Sequence, residues 1–116
     1  MICETGRQLI VTIVKKGWAQ EVIQASRDAG ASGGTVIPAR GTGIHEMQTL
    51  LGLRIEPEKD IILTVVNPEQ TDQILEAIVS VAELEKPGTG IVFVISLEKV
   101  AGRVHMIPDQ EQKKEE

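Results

Sequence analysis

Residues 10–14 read Ile-Val-Thr-Ile-Val and residues 62–66 read Ile-Leu-Thr-Val-Val, so one apolar run recurs 52 positions further on. At the same spacing Val22-Ile23 matches Ile74-Leu75, and Ala25 matches Ala77. Each half then reaches a Gly/Thr cluster and a second β-rich run. These runs are Thr35-Val36-Ile37 in the first half and Ile91-Val92-Phe93-Val94-Ile95 in the second. The period is too long and the copies too few for a solenoid. The pattern is that of a duplicated unit, each copy reading strand, helix, strand.

Residues 8–15 are β-rich and bounded by Lys15-Lys16-Gly17. Residues 18–29 predict a helix whose narrow small-residue stripe is Val22, Ala25, Ser26 and Ala29, with Ile23 alongside. Gly30 stands where a C′ residue of positive φ is wanted. In the second unit Asn67 can N-cap, Pro68 suits the first helical position, and Gln70 can reach back as a capping-box partner. Ile74, Leu75, Ile78, Val79 and Ala82 give that helix a wide apolar face. Two β-α-β units in tandem predict an α+β, ferredoxin-like sandwich: one antiparallel sheet with two helices on one face. Strands 61–66 and 91–95 are apolar but for Thr64, as strands covered on both faces are. A chain of 116 residues has nothing left to cover the second face, so oligomerisation through the sheets is expected.

Composition removes several functions. Aromatic residues are only Trp18 and Phe93, and the net charge is −5. The chain therefore lacks both a base-stacking platform and a phosphate-backbone footprint, which argues against nucleic-acid binding. The apolar runs fall far short of the roughly 20 residues of a membrane span. Cys3 is alone and cannot form an internal disulfide; with no signal peptide in view, a cytoplasmic protein is expected. Cys3 reads as an N-terminal residue rather than a reactive thiol. His45 and His105 lie far apart, without CxxC or HxxxH spacing, so no metal site is expected. No nucleophile stands in a supporting arrangement with a base, and no enzyme is expected.

One domain is expected over 1–107, followed by a polar tail, 108–116, expected to be disordered. The segment between the units, 41–60, is long for a plain connection and carries Met47, Leu50, Leu51, Leu53 and Ile55. It reads either as a short helix at 45–51 packed back on the domain or as a mobile loop that folds against a partner. The stretch KPGTG at 86–90 is not a Walker motif, and GTG at 41–43 is not a dinucleotide fingerprint.

GASGGTVIPARGTG at 30–43, EPEKDIILTVV at 56–66 and KPGTGIVFVISLEKV at 86–100 appear in an order and spacing that resemble the PII signal-transduction proteins, the trimeric nitrogen regulators. The likeness covers roughly 9–105. It implies a homotrimer with three inter-subunit clefts, each holding an adenine nucleotide. It also implies a T-loop, about 41–58, that docks on a regulated transporter or metabolic enzyme. No tightly bound cofactor is implied. Carried over by position, Ile13 and Val65 flank the adenine and Thr35 lies at the base edge. Gly41 and Gly43 form the loop root, while Gly88, Thr89 and Gly90 cradle phosphates with backbone amides. Arg103 reaches a phosphate across the boundary, and His45 and His105 are further candidate ligand contacts.

The departures from that family bear on the ligand. Thr89 stands where the family usually has an acidic residue, Ile91 where it has a lysine, and one arginine, Arg103, where it has two. Fewer cations weaken a triphosphate most, so ADP or AMP is expected over ATP. His45 replaces a glutamine tied to magnesium and 2-oxoglutarate, so sensing of 2-oxoglutarate is in question. The chain has no tyrosine, so tyrosyl uridylylation is impossible. Outside this resemblance, the sequence leaves two other modules open: a trimeric divalent-cation-tolerance-like protein and a dimeric ACT-like small-molecule binder.

Overall fold

The computed structural model describes residues 3–43 and 48–102. In chain order the elements are β1 (Cys3–Glu4), β2 (Gln8–Lys15), α1 (Ala19–Asp28), β3 (Thr35–Arg40), β4 (Gln48–Leu50), β5 (Leu53–Ile55), β6 (Glu58–Val66), α2 (Pro68–Val81), β7 (Gly90–Ser96) and β8 (Val100–Ala101). The main sheet has the order β3-β6-β2-β7, every neighbouring pair antiparallel. Its long strands alternate with the two helices as the duplicated sequence predicts. The result is the ferredoxin-like α+β arrangement.

Both helices cover the same sheet face. Ile10 and Val14 of β2 and Ile62 and Val66 of β6 are buried there, against Val22 of α1 and Ile74 and Ile78 of α2. Burying each such side chain contributes about 1.5–3 kcal/mol. Side chains alternate across a strand, so the opposite parity faces away from the helices. There the register stacks Ile37, Ile61, Ile13 and Ile91 in one row, and Leu63, Val11 and Phe93 in the next. This second face is apolar and bare at its edges: Ile91 is 56% exposed, and Phe93 and Ile95 are also exposed.

The two halves end their helices alike. Gly30, at φ +118°, follows α1, and its N–H donates to Arg27 O while that of Ala31 donates to Ser26 O. Glu83, at φ +53°, follows α2, with Glu83 N–H to Ser80 O and Leu84 N–H to Val79 O. Both are Schellman motifs. The start of α2 departs from the expected capping box. Asn67 occupies the cap position, but its side chain makes no capping bond. The Gln70 amide instead donates to Gly30 O (3.3 Å), and Gln73 donates to Ala29 O (2.7 Å). The carbonyls that α1 leaves unsatisfied at its end attract these amides across the helix pair.

The connecting segment also departs from one of its two readings. Residues 48–51 are not helical: β4 and β5 pair as a hairpin, with Leu50 opposite Leu53. Leu51 (φ +53°) and Gly52 (φ +79°) form its two-residue turn, a geometry that no continuing helix can accommodate. Residues 44–47 and 108–116, and with them the N-terminal part of that expected helix and the expected tail disorder, lie outside the described residues.

Candidate functional site

At the end of the apolar sheet face where β3 leaves for the hairpin, a groove of about 450 Å³ opens. Ile13, Ile61 and Ile91 lie along it on three neighbouring strands. Ala39, Arg40, Gly41, Thr42 and Gly43 line it where the loop departs, and Gly88 and Gly90 where β7 begins. Gly41 N–H donates to Pro57 O at 3.2 Å, which fastens the two stems of the loop together beside the groove. A Cβ added at Gly41 would meet nothing within 4 Å, so the groove stays open there.

Two cations belong to this groove. Arg40 is the last residue of β3 and is exposed. Lys59 lies in β6 opposite Ala39 and is only 7% exposed. It shares strand parity with Ile61, which puts it on the apolar face rather than under the helices. The groove thus joins an apolar bed to guanidinium and ammonium groups and to a glycine-rich backbone. That combination suits a ligand with a flat apolar part and an anionic part.

Gly90 is required by distance. Its φ is +152°, and a Cβ there would sit 2.4 Å from the carbonyl oxygen of Ile13. Only glycine lets β7 enter the sheet at this level. Gly88, at φ +81°, turns the chain just before. Thr89 is committed elsewhere: its hydroxyl lies 2.9 Å from Glu83 O and 2.9 Å from Lys86 O, and it ties down the turn after α2. Its side chain is not among the groove-lining groups.

Of the residues expected in the site, Ile13, Gly41, Gly43, Gly88 and Gly90 come together at this groove. Thr35 pairs with Leu63, one row further along the sheet, and Val65 pairs with Leu9, four residues from Ile61. Within one chain Ile13 therefore faces Ile61, not Val65. His45, Arg103 and His105 lie outside the described residues. Lys59 and Arg40 were not singled out as ligand groups. Lys59 was legible, because it continues the Ile61, Leu63, Val65 alternation on one face. Among the described residues, no group of three or more His, Cys, Asp or Glu could hold a metal ion, and no helix is long and apolar enough to cross a membrane.

The family model described as "Nitrogen regulatory protein P-II" matches residues 7–103, which span the whole main sheet and both helices. The chain belongs to the P-II family. Two curated P-II relatives are similar in sequence. The nitrogen regulatory protein P-II of Pasteurella multocida (strain Pm70) is 34% identical over 96 residues, covering 78% of this chain and 86% of that protein. That of Rhodobacter capsulatus is 35% identical over 95 residues, covering 78% and 85%. This P-II chain is accordingly a regulatory signalling protein. The match favours P-II over the divalent-cation-tolerance-like and ACT-like alternatives. It also gives the groove a setting, since loop root and glycine turn both fall inside the matched region.

Proposed function

We propose that this P-II chain is a non-enzymatic, cytoplasmic regulator that binds an adenine nucleotide and reports it to a partner protein. It acts as a homotrimer and takes ADP or AMP in preference to ATP. The observation that carries this reading is the groove itself: isoleucines on three strands for a base, and Arg40 and Lys59 for phosphate, at the root of the loop. Two cations match a short phosphate chain better than a long one. With Ile91 at the mouth of the groove, these two take the place of a lysine in the glycine turn.

The apolar second face supports trimerisation. Three sheets packed together would bury Ile91, Phe93 and Ile95, which a single chain leaves exposed. Val65 and Thr35, remote from Ile13 in one chain, would then be offered to a neighbouring copy's cleft. The signal is a population shift. A nucleotide held between the β3 exit and Gly88 favours one arrangement of the loop stems, and the partner reads that arrangement. The partner is a transporter or a metabolic enzyme, in a nitrogen-related role consistent with the names of the relatives. Isothermal titration with ATP, ADP and AMP tests the reading. Saturable heat with ADP or AMP, weaker with ATP, is expected; no heat with any of the three at millimolar concentration sinks it.

A further inference from the structure

One side chain holds the turn between α2 and β7. Pro87 has no N–H to give, and Thr89 is flanked by Gly88 (φ +81°) and Gly90 (φ +152°), a region of the backbone that few residues other than glycine enter. Left to itself, such a stretch samples many shapes. Neither Gly88 N–H nor Thr89 N–H has a hydrogen-bond partner among the described residues. What fixes the stretch is the Thr89 hydroxyl, 2.9 Å from Glu83 O and 2.9 Å from Lys86 O. Its one proton can go to either carbonyl, so the tie persists when one acceptor shifts. Glu83 O is itself anchored: it receives Lys86 N–H at 3.0 Å and belongs to the residue that closes α2. The hydroxyl thus fastens the glycine turn back onto the helix end.

We infer that Thr89 is a positioning residue for anion binding: its hydroxyl holds residues 86–90 in a single shape, so that the unengaged amides of Gly88 and Thr89 are fixed at the groove before a ligand arrives. This rests on the proposed reading of the groove as a nucleotide site. Gly88 and Gly90 line the groove and the Thr89 side chain does not, so Thr89 acts through the backbone and not by contact. Lys86, the one cation of the turn, is paired with Glu83 and also stands apart from the groove. Backbone amides are therefore what this turn can offer a phosphate. A turn ordered in advance loses less freedom when the phosphate settles on it, and affinity rises by that difference.

The test compares wild type, Thr89→Val and Thr89→Ser in the full chain. Valine keeps the shape of threonine and removes the hydroxyl. Both hydrogen bonds are at the surface, so water replaces the hydroxyl at the two carbonyls and the variant folds. Without ligand, NMR relaxation is expected to show the amide order parameters of Gly88 and Thr89 falling from about 0.85 in wild type to below about 0.6 in Thr89→Val. Thr89→Ser keeps the wild-type values, and Leu84, inside the helix stop, is unchanged in all three. By calorimetry, ADP is expected to bind Thr89→Val about tenfold more weakly and Thr89→Ser within about threefold of wild type. Adenosine, which has no phosphate, is expected to bind all three alike.

Order parameters at Gly88 and Thr89 that stay at the wild-type level in Thr89→Val overturn the inference. So does an equal loosening at Leu84, which would make the hydroxyl a part of the helix stop alone. A serine variant as weak as the valine variant also overturns it, as does adenosine weakened as much as ADP. Wild type that gives no heat with ADP would remove the nucleotide reading instead, and the relaxation measurement alone would then decide whether the hydroxyl orders the turn.

Discussion

At the scale of single residues, backbone proximity and strand parity decide most of what happens at the groove. Gly90 passes so close to the Ile13 carbonyl that any Cβ would push β7 off β2. Gly90→Ala should cost at least about 2 kcal/mol, read as a lower midpoint in thermal or urea unfolding. Lys59 is a different case: it lines the groove, and on the proposed function it is a phosphate-binding cation. Lys59→Met keeps the length and apolar stem of the side chain. The expected outcome is an ADP affinity about 10- to 100-fold weaker by titration calorimetry, with an unchanged circular dichroism spectrum. Thr12 and Thr64 sit fully buried in the layer under the helices, and neither hydroxyl has a hydrogen-bond partner among the described residues. Replacing such a hydroxyl by a methyl of the same shape removes a desolvation cost. Thr64→Val should therefore raise stability by about 1 kcal/mol in the same unfolding measurements.

At the scale of elements, the two helices stop in the same way with different residues. Gly30 takes the left-handed position after α1 without penalty, whereas Glu83 takes it after α2 with one. Glu83→Gly should add about 1 kcal/mol and raise Tm by roughly 4 °C, seen in a calorimetric scan. The Lys86–Glu83 pair that it removes is more than half exposed on both sides and contributes little. This comparison also shows what could be read in advance. The end of α1 was legible because glycine announces it; α2 ends on a glutamate that no turn rule selects. The capping box at Asn67 and Gln70 was misread for a related reason. The partner that Gln70 takes, the Gly30 carbonyl, is 40 positions away in sequence and adjacent only once the helices pack. The hairpin at 48–55 was half legible: Gly52 argues for a turn, but a stretch with four leucines and isoleucines suits either period.

At the scale of the whole molecule, the duplicated sequence specified the architecture almost completely. Strand parity and helix faces are local properties that survive into the fold, whereas the groove depends on register, which brings Ile13, Ile61 and Ile91 level. Register is a long-range property, and that is why the row of Ile13 with Ile61 and Ile91 could not be read from the strands one at a time. The bare sheet face carries the assembly prediction. Light scattering should report three copies of the 12.6 kDa chain, and Phe93→Glu, which charges the exposed β7 edge of that face, should give monomers. Finally, the Gly41–Pro57 hydrogen bond and the Arg40–Glu58 pairing close the β3–β6 connection below the hairpin. The domain is thus finished before the loop begins. On the proposed function, residues 42–56 amount to an interchangeable cassette: lineages, or engineers, could rewrite whom the molecule addresses without renegotiating how it folds.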